Sequence, residues 1–213
     1  MKQEFLEISN YVGDIRKIVE RRASMPLIYG SGVGFGSSFA EMVSVLCFYA
    51  KRGSRVIFGG EMFEQIYLSF LECCGIIDKD VGLLEAGSKE GIFFVEDGVA
   101  AFEVANIVSV SDKGQKRYVV LLLDESVMVE EGVWDRVVFS SRYRLENLLV
   151  FIAYMGNMDF RIMPIADKWR SFGWGFFEVN GNSLEHLLRA IRDAGKYKGS
   201  PVAVLSYLAC ARG

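Results

Sequence analysis

Residues 118–132 read YVVLLLDESVMVEEG, an apolar run that ends abruptly on Asp124 and Glu125. Six consecutive apolar residues before an acid describe a strand buried on both faces, the kind found inside parallel sheets rather than at solvated edges. A second such run, NLLVFIAYM (residues 147–155), follows after EEGVWDRVVFSSRYRL (residues 130–145), whose apolar spacing predicts a helix. Strand, helix and strand in close succession require a parallel pair with a crossover between them.

Working outward, the same alternation fills the chain. Residues 4–23 carry Leu6, Ile8, Val12, Ile15, Ile18 and Val19 at helical spacing. A Gly/Ser stretch, GSGVGFGS (Gly30 to Ser37), precedes a second helical run that Gly53 stops. SRVIFGG predicts a short strand, EMFEQIYLSFLECCG a helix closed by Gly75, and residues 76–98 a Gly-punctuated loop. A helix near 99–110 leads into the run quoted above. ADKWRSFGW then predicts a short helix, GFFEVNG a strand, SLEHLLRAIRDAG a helix with Ser183 as N-cap, and PVAVLSYLA a last strand. The expected fold class is therefore α/β, a mostly parallel sheet with helices on both faces, in a single domain spanning residues 1–213.

Composition narrows the function classes. The 213 residues are 51% hydrophobic and 13% aromatic, with sixteen Phe. A chain of this length buries roughly 70% of its unfolded surface. Its apolar surplus either fills the core or marks a subunit interface. The net charge of −3 includes no Lys/Arg block, which argues against a nucleic-acid partner. No segment approaches the roughly 20 apolar residues of a membrane span. The acidic start MKQEFLEISN does not read as a signal peptide, and Cys47, Cys73, Cys74 and Cys210 lack CxxC spacing. They read as reduced, buried thiols of a cytoplasmic protein. The one histidine, His186, falls beside the apolar face of Leu184, Leu187, Leu188 and Ile191, a solvent-facing position. A single such histidine disfavours Ser-His-Asp and Cys-His triads.

Ligands of parallel sheets sit beyond the carboxyl ends of the strands. Asp124 and Glu125 end one predicted strand, and Met155, Gly156 and Asn157 end the next. Two roles remain open for Asp124: a Mg2+ ligand or a cap for the element that follows. The GSGVGFGS stretch matches neither GxGxxG nor the Walker pattern, and reads equally as an anion loop or a turn. Glu130 and Glu131 are expected to open the next helix and compensate its dipole.

The C-terminal half resembles the thiamine-diphosphate-binding part of the transketolases, most closely the form split into two chains. Where that family reads Gly-Asp-Gly-Glu, Glu-Gly-x-x-Trp-Glu-Ala and Tyr-Lys-Leu-Asp-Asn-Leu-Ile-Val-Ile-Val-Asp-Tyr-Asn, this chain reads LDES, EEGVWDR and YRLENLLVFIAYM. ADKWRSFGWGFFEVNGN matches Ala-Glu-Lys-Trp-Arg-Ala-Phe-Gly-Trp followed by Glu-Val-Asp-Gly-His. Upstream, IRKIVERRASMPLIYGSGVGFGSS and SRVIFGGEMFEQIY resemble the family's opening helix, its Gly/His turn and its Ser-Lys-Gly-His segment.

The resemblance implies Mg2+ on Asp124, with Asn157 as a second ligand. It implies thiamine diphosphate against Gly30, Ser31, Gly32, Gly34, Asp124, Glu125 and Gly156. The implied partner is a C-terminal transketolase-like chain that carries the pyrimidine domain, in a homo- or hetero-oligomer. The implied reaction is transfer of a two-carbon ketol unit from a ketose to an aldehyde. The departures lie at the cofactor motifs. The family's two glycines fall on Leu123 and Glu125, its second metal ligand on Met155, and its histidines on Val33, Met62 and Asn182. The Gly-Gln-Gly turn falls near Asp97-Gly98-Val99. The resemblance thus carries two expectations. One is the N-terminal, catalytic component of a two-chain enzyme; the other is a non-catalytic pseudoenzyme or assembly component that keeps the fold without the cofactor.

Overall fold

The computed structural model describes residues 2–23, 39–60, 63–76, 91–156 and 164–208. Its centre is a six-stranded sheet in the order β2-β1-β3-β4-β6-β5. The strands are β1 (Arg55–Gly59), β2 (Ile92–Val95), β3 (Val119–Asp124), β4 (Leu148–Tyr154), β5 (Gly175–Asn180) and β6 (Val202–Tyr207). Every pairing is parallel; β3 sets Leu121 against Ile57 on one side and Val150 on the other. The helices are α1 (Lys2–Ala23), α2 (Ala40–Ala50), α3 (Glu64–Cys73), α4 (Gly98–Ser111), α5 (Val133–Arg142), α6 (Ile165–Ser171) and α7 (Leu184–Ala194).

Strand side chains alternate between faces, so each central strand feeds two cores. Val56, Phe58, Val120, Leu122, Leu149 and Phe151 pack under α1, α2, α3 and α7. Ile57, Leu121, Leu123, Val150 and Ile152 pack under α4, α5 and α6. The second core is anchored by aromatics: Trp169 lies 4.6 Å from Trp174 and 5.7 Å from Trp134, ring centre to ring centre, and Trp174 Nε1 donates to Val137 O at 2.9 Å. Large rings supply much burial per residue, and the indole N–H of Trp174 enters the core with its partner in place.

The α/β class holds, and Ser183 caps α7 by accepting from the His186 amide. His186 is exposed, as its helical position predicted. Three local readings change. A strand, β2, lies inside the stretch read as loop; it is four residues long and follows Gly91, too short for periodicity to register. The helix expected over 130–145 begins only at Val133, because residues 125–129 form a 3-10 turn and Gly132 adopts φ 90° ahead of α5. Glu130 and Glu131 therefore precede the helix, and the acid in its first turn is Asp135. Among the cysteines, Cys47 is buried but Cys73 and Cys74 are half-buried, while Cys210 lies outside the described residues. No described helix is long and apolar enough to cross a membrane.

Candidate functional site

The connections locate the crevice. From the carboxyl end of β1 the chain passes to α3 on one face, whereas from its neighbours β2 and β3 it passes to α4 and α5 on the other. Adjacent strands whose continuations part to opposite faces leave a gap beyond their ends, the place where parallel sheets bind ligands. Gly60 follows β1 at this gap and Asp124 ends β3 there.

Asp124 is 5% exposed. Its Oδ1 accepts from the Ser126 amide at 2.7 Å and from the Ser126 hydroxyl, so the carboxylate caps the 3-10 turn. Its Oδ2 approaches Gly60 so closely that a Cβ there would sit 2.8 Å away, and Gly60 holds φ 110°, a conformation that favours glycine. The cap, one of the two roles open from sequence, is the one present. Glu125 is 2% exposed, and its Oε2 accepts from the Met155 amide at 3.1 Å. A buried carboxylate thereby joins the end of β3 to the end of β4.

A third carboxylate occupies the neighbouring helix start. Asp97 is the N-cap of α4 and accepts from the Ala100 amide at 2.6 Å. Gly98 lets this end of α4 lie flat on the sheet, since a Cβ there would meet Val127 Cγ2 at 2.3 Å. Free amides at a helix N-terminus attract anions, and here the chain's own aspartate takes that position. Glu130 completes the acidic surroundings: burial, then Asp97 and Asp124, push its carboxyl above the ordinary range.

Of the residues singled out from sequence, Asp124 and Glu125 meet at the sheet end. Gly156 lies just beyond β4, exposed, at φ 83°. Gly30, Ser31, Gly32, Gly34 and Asn157 lie outside the described residues. Among the described residues no three His, Cys, Asp or Glu side chains converge in a metal-holding arrangement. The structure adds Gly60, Asp97 and Glu130. Asp97 carried a signal in its cap position before an apolar helix, while Gly60 and Glu130 depend on contacts between distant segments.

Thiamine diphosphate and Mg2+ do not fit the described part of this end. A diphosphate needs amides and cations facing it, whereas the groups present are carboxylates already bonded to amides. The position of the family's second metal ligand holds Met155, whose amide is committed to Glu125 and whose thioether is a poor partner for Mg2+.

Comparison with known proteins points to one group. No protein-family model matches the chain. One of the two chains of the apulose-4-phosphate transketolase of Phocaeicola vulgatus is 24% identical over 186 residues, covering 76% of this chain and 65% of that one. Transketolase-like protein 2 of Bos taurus is 25% identical over 202 residues, 79% of this chain and 32% of its own length. A 6-deoxy-6-sulfo-D-fructose transketolase subunit of a Clostridium species is 28% identical over 85 residues, 36% of this chain and 30% of its own. The chain thus spans about a third of the length of the last two. Among solved structures, the transketolase of Campylobacter jejuni superposes on 99% of this chain and 38% of its own with a TM-score of 0.69 at 17% identity, which establishes the shared fold.

Proposed function

Because this chain is a distant homologue of the transketolases, we propose that it is one subunit of a two-chain transketolase-type assembly, keeping the cofactor-domain fold without holding the cofactor. The observation that carries this reading is the buried Glu125 carboxylate on the Met155 amide, at the position where the family carries a glycine beside its metal-binding aspartate. The catalytic alternative, ketol transfer with Mg2+ on Asp124, requires Glu125 to leave Met155 and Asp124 to release Ser126.

A role in assembly has support elsewhere on the surface. α4 and α5 pack side by side, through Asn106 donating to Arg136 O at 3.1 Å, and carry exposed Ile107, Val110, Val138 and Phe139. Ile107 is 63% exposed, so part of the apolar surplus lies outside the core. Two relatives bear the word subunit in their names, which supports a partner chain resembling the remaining part of a transketolase.

The test is to isolate the tagged chain from its own cells and identify by mass spectrometry what elutes with it at fixed ratio. A stoichiometric chain resembling the remainder of a transketolase is the expected result. Elution of this chain alone, as a monomer, overturns the proposal.

A further inference from the structure

Away from the sheet end, three thiols meet where α2 and α3 finish. Cys47, in the last turn of α2, is 1% exposed, and its Sγ lies 3.6 Å from Sγ of Cys74, the C-cap of α3. Cys47 Sγ is also 3.8 Å from Phe70 O, which holds the thiol between the two helices. Cys74 is half-buried and reachable, whereas Cys47 lies behind it. We propose that Cys47 and Cys74 are a peroxide-responsive thiol pair that closes to a disulfide linking α2 to the end of α3.

The chemistry balances with a hydroperoxide as oxidant. The Cys74 thiolate attacks one peroxide oxygen and the O–O bond breaks. This leaves a sulfenic acid on Cys74 and an alkoxide or hydroxide that takes up the released proton. The sulfur of Cys47 then attacks that of Cys74; the S–O bond breaks, and the hydroxyl leaves as water with the Cys47 proton. Two thiols lose two hydrogens and the peroxide is reduced to water and an alcohol, or to two waters. Closing the pair needs a sulfur approach of about 1.5 Å, from 3.6 Å to the S–S bond length.

The electrostatics assign the two roles. The hydrogen bond from Cys47 lowers the Cys74 thiol, with burial opposing and Lys51 assisting. Burial, foremost, raises Cys47. The reachable thiol is therefore the nucleophile and the enclosed one resolves its sulfenic acid. The cross-link would enclose residues 47–74, a segment that contains β1 and Gly60 and so reaches the crevice.

Test this with the full reduced chain, treated with a few equivalents of hydrogen peroxide, blocked with an alkylating reagent and digested without reductant. The expected result is loss of two hydrogens from the intact mass, one cross-linked peptide joining Cys47 to Cys74, and a Tm higher by roughly 5–10 °C. Cys73→Ser should keep the cross-link and Cys74→Ser should abolish it. Cys47→Ala serves as a second variant that places no hydroxyl in the apolar site, and should also abolish it. The proposal is overturned if peroxide leaves every thiol free, adds oxygen to Cys74 without a cross-link, or joins Cys47 to Cys73 or Cys210.

Discussion

Glu125 Oε2 lies 3.1 Å from the backbone nitrogen of Met155, so the first residue after β3 closes the gap at the end of β4 with a buried negative charge. A carboxylate so enclosed holds its place by its hydrogen bonds. Glu125→Ala leaves the Met155 amide without this acceptor and should cost about 1–3 kcal/mol. Glu125→Gln, which keeps an acceptor oxygen, should cost less. Urea unfolding of the two variants beside the parent measures the difference; equal losses would remove the hydrogen bond from the account.

The acidic surroundings predict a pH dependence. Glu130 titrates above the ordinary carboxylate range because it is buried near Asp97 and Asp124. A carboxyl raised on folding is a group whose ionisation opposes the fold. Its penalty is absent below the unfolded-state pKa, grows as pH rises through the interval up to the folded-state pKa, and is fully present above it. Glu130→Gln should therefore raise Tm at pH 7.5, and the gain should shrink as pH falls through that interval. Melting curves across pH 4 to 8 check it; a gain that stays constant or grows in acid contradicts the electrostatic cause.

Gly60 tests the closeness of the crevice wall. Alanine there must hold φ 110° and place its Cβ 2.8 Å from Asp124 Oδ2. Strain of this type costs about 1–3 kcal/mol. Gly60→Ala should lower stability by that amount in chemical denaturation. A neutral result means that β1 and β3 end farther apart than described.

In the second core, Trp169 is fully buried among Trp134, Trp174 and Phe102. Trp169→Ala should cost about 3–5 kcal/mol and weaken the near-ultraviolet dichroism of the aromatic group. Unchanged dichroism would contradict the packing.

How much of the molecule is legible in its sequence differs between fold and site. β3 and β4 stand out because strands buried on both faces have no polar positions, and Ser183 marks α7 because a cap is a local signal. β2 does not stand out, since four residues beside a glycine carry too little pattern. Asp124 and Glu125 are identifiable as the end of a strand, but their bonds are not. Whether Glu125 points into the crevice or across to Met155 depends on the register of β3 against β4, which aligns Asp124 with Ala153. The position of Glu130 escapes the sequence for a related reason: the 3-10 turn and the φ 90° of Gly132 delay α5, and neither has a periodic signature.

The central claim is that this chain keeps a transketolase fold whose diphosphate position is filled by its own carboxylates. Calorimetric titration of thiamine diphosphate with Mg2+, into the chain alone and into the chain with its isolated partner, tests it most directly. The account predicts no binding that depends on this chain: no heat in the first sample, and in the second a signal unchanged by Asp124→Ala. Saturable binding that Asp124→Ala abolishes would contradict it and restore the catalytic reading.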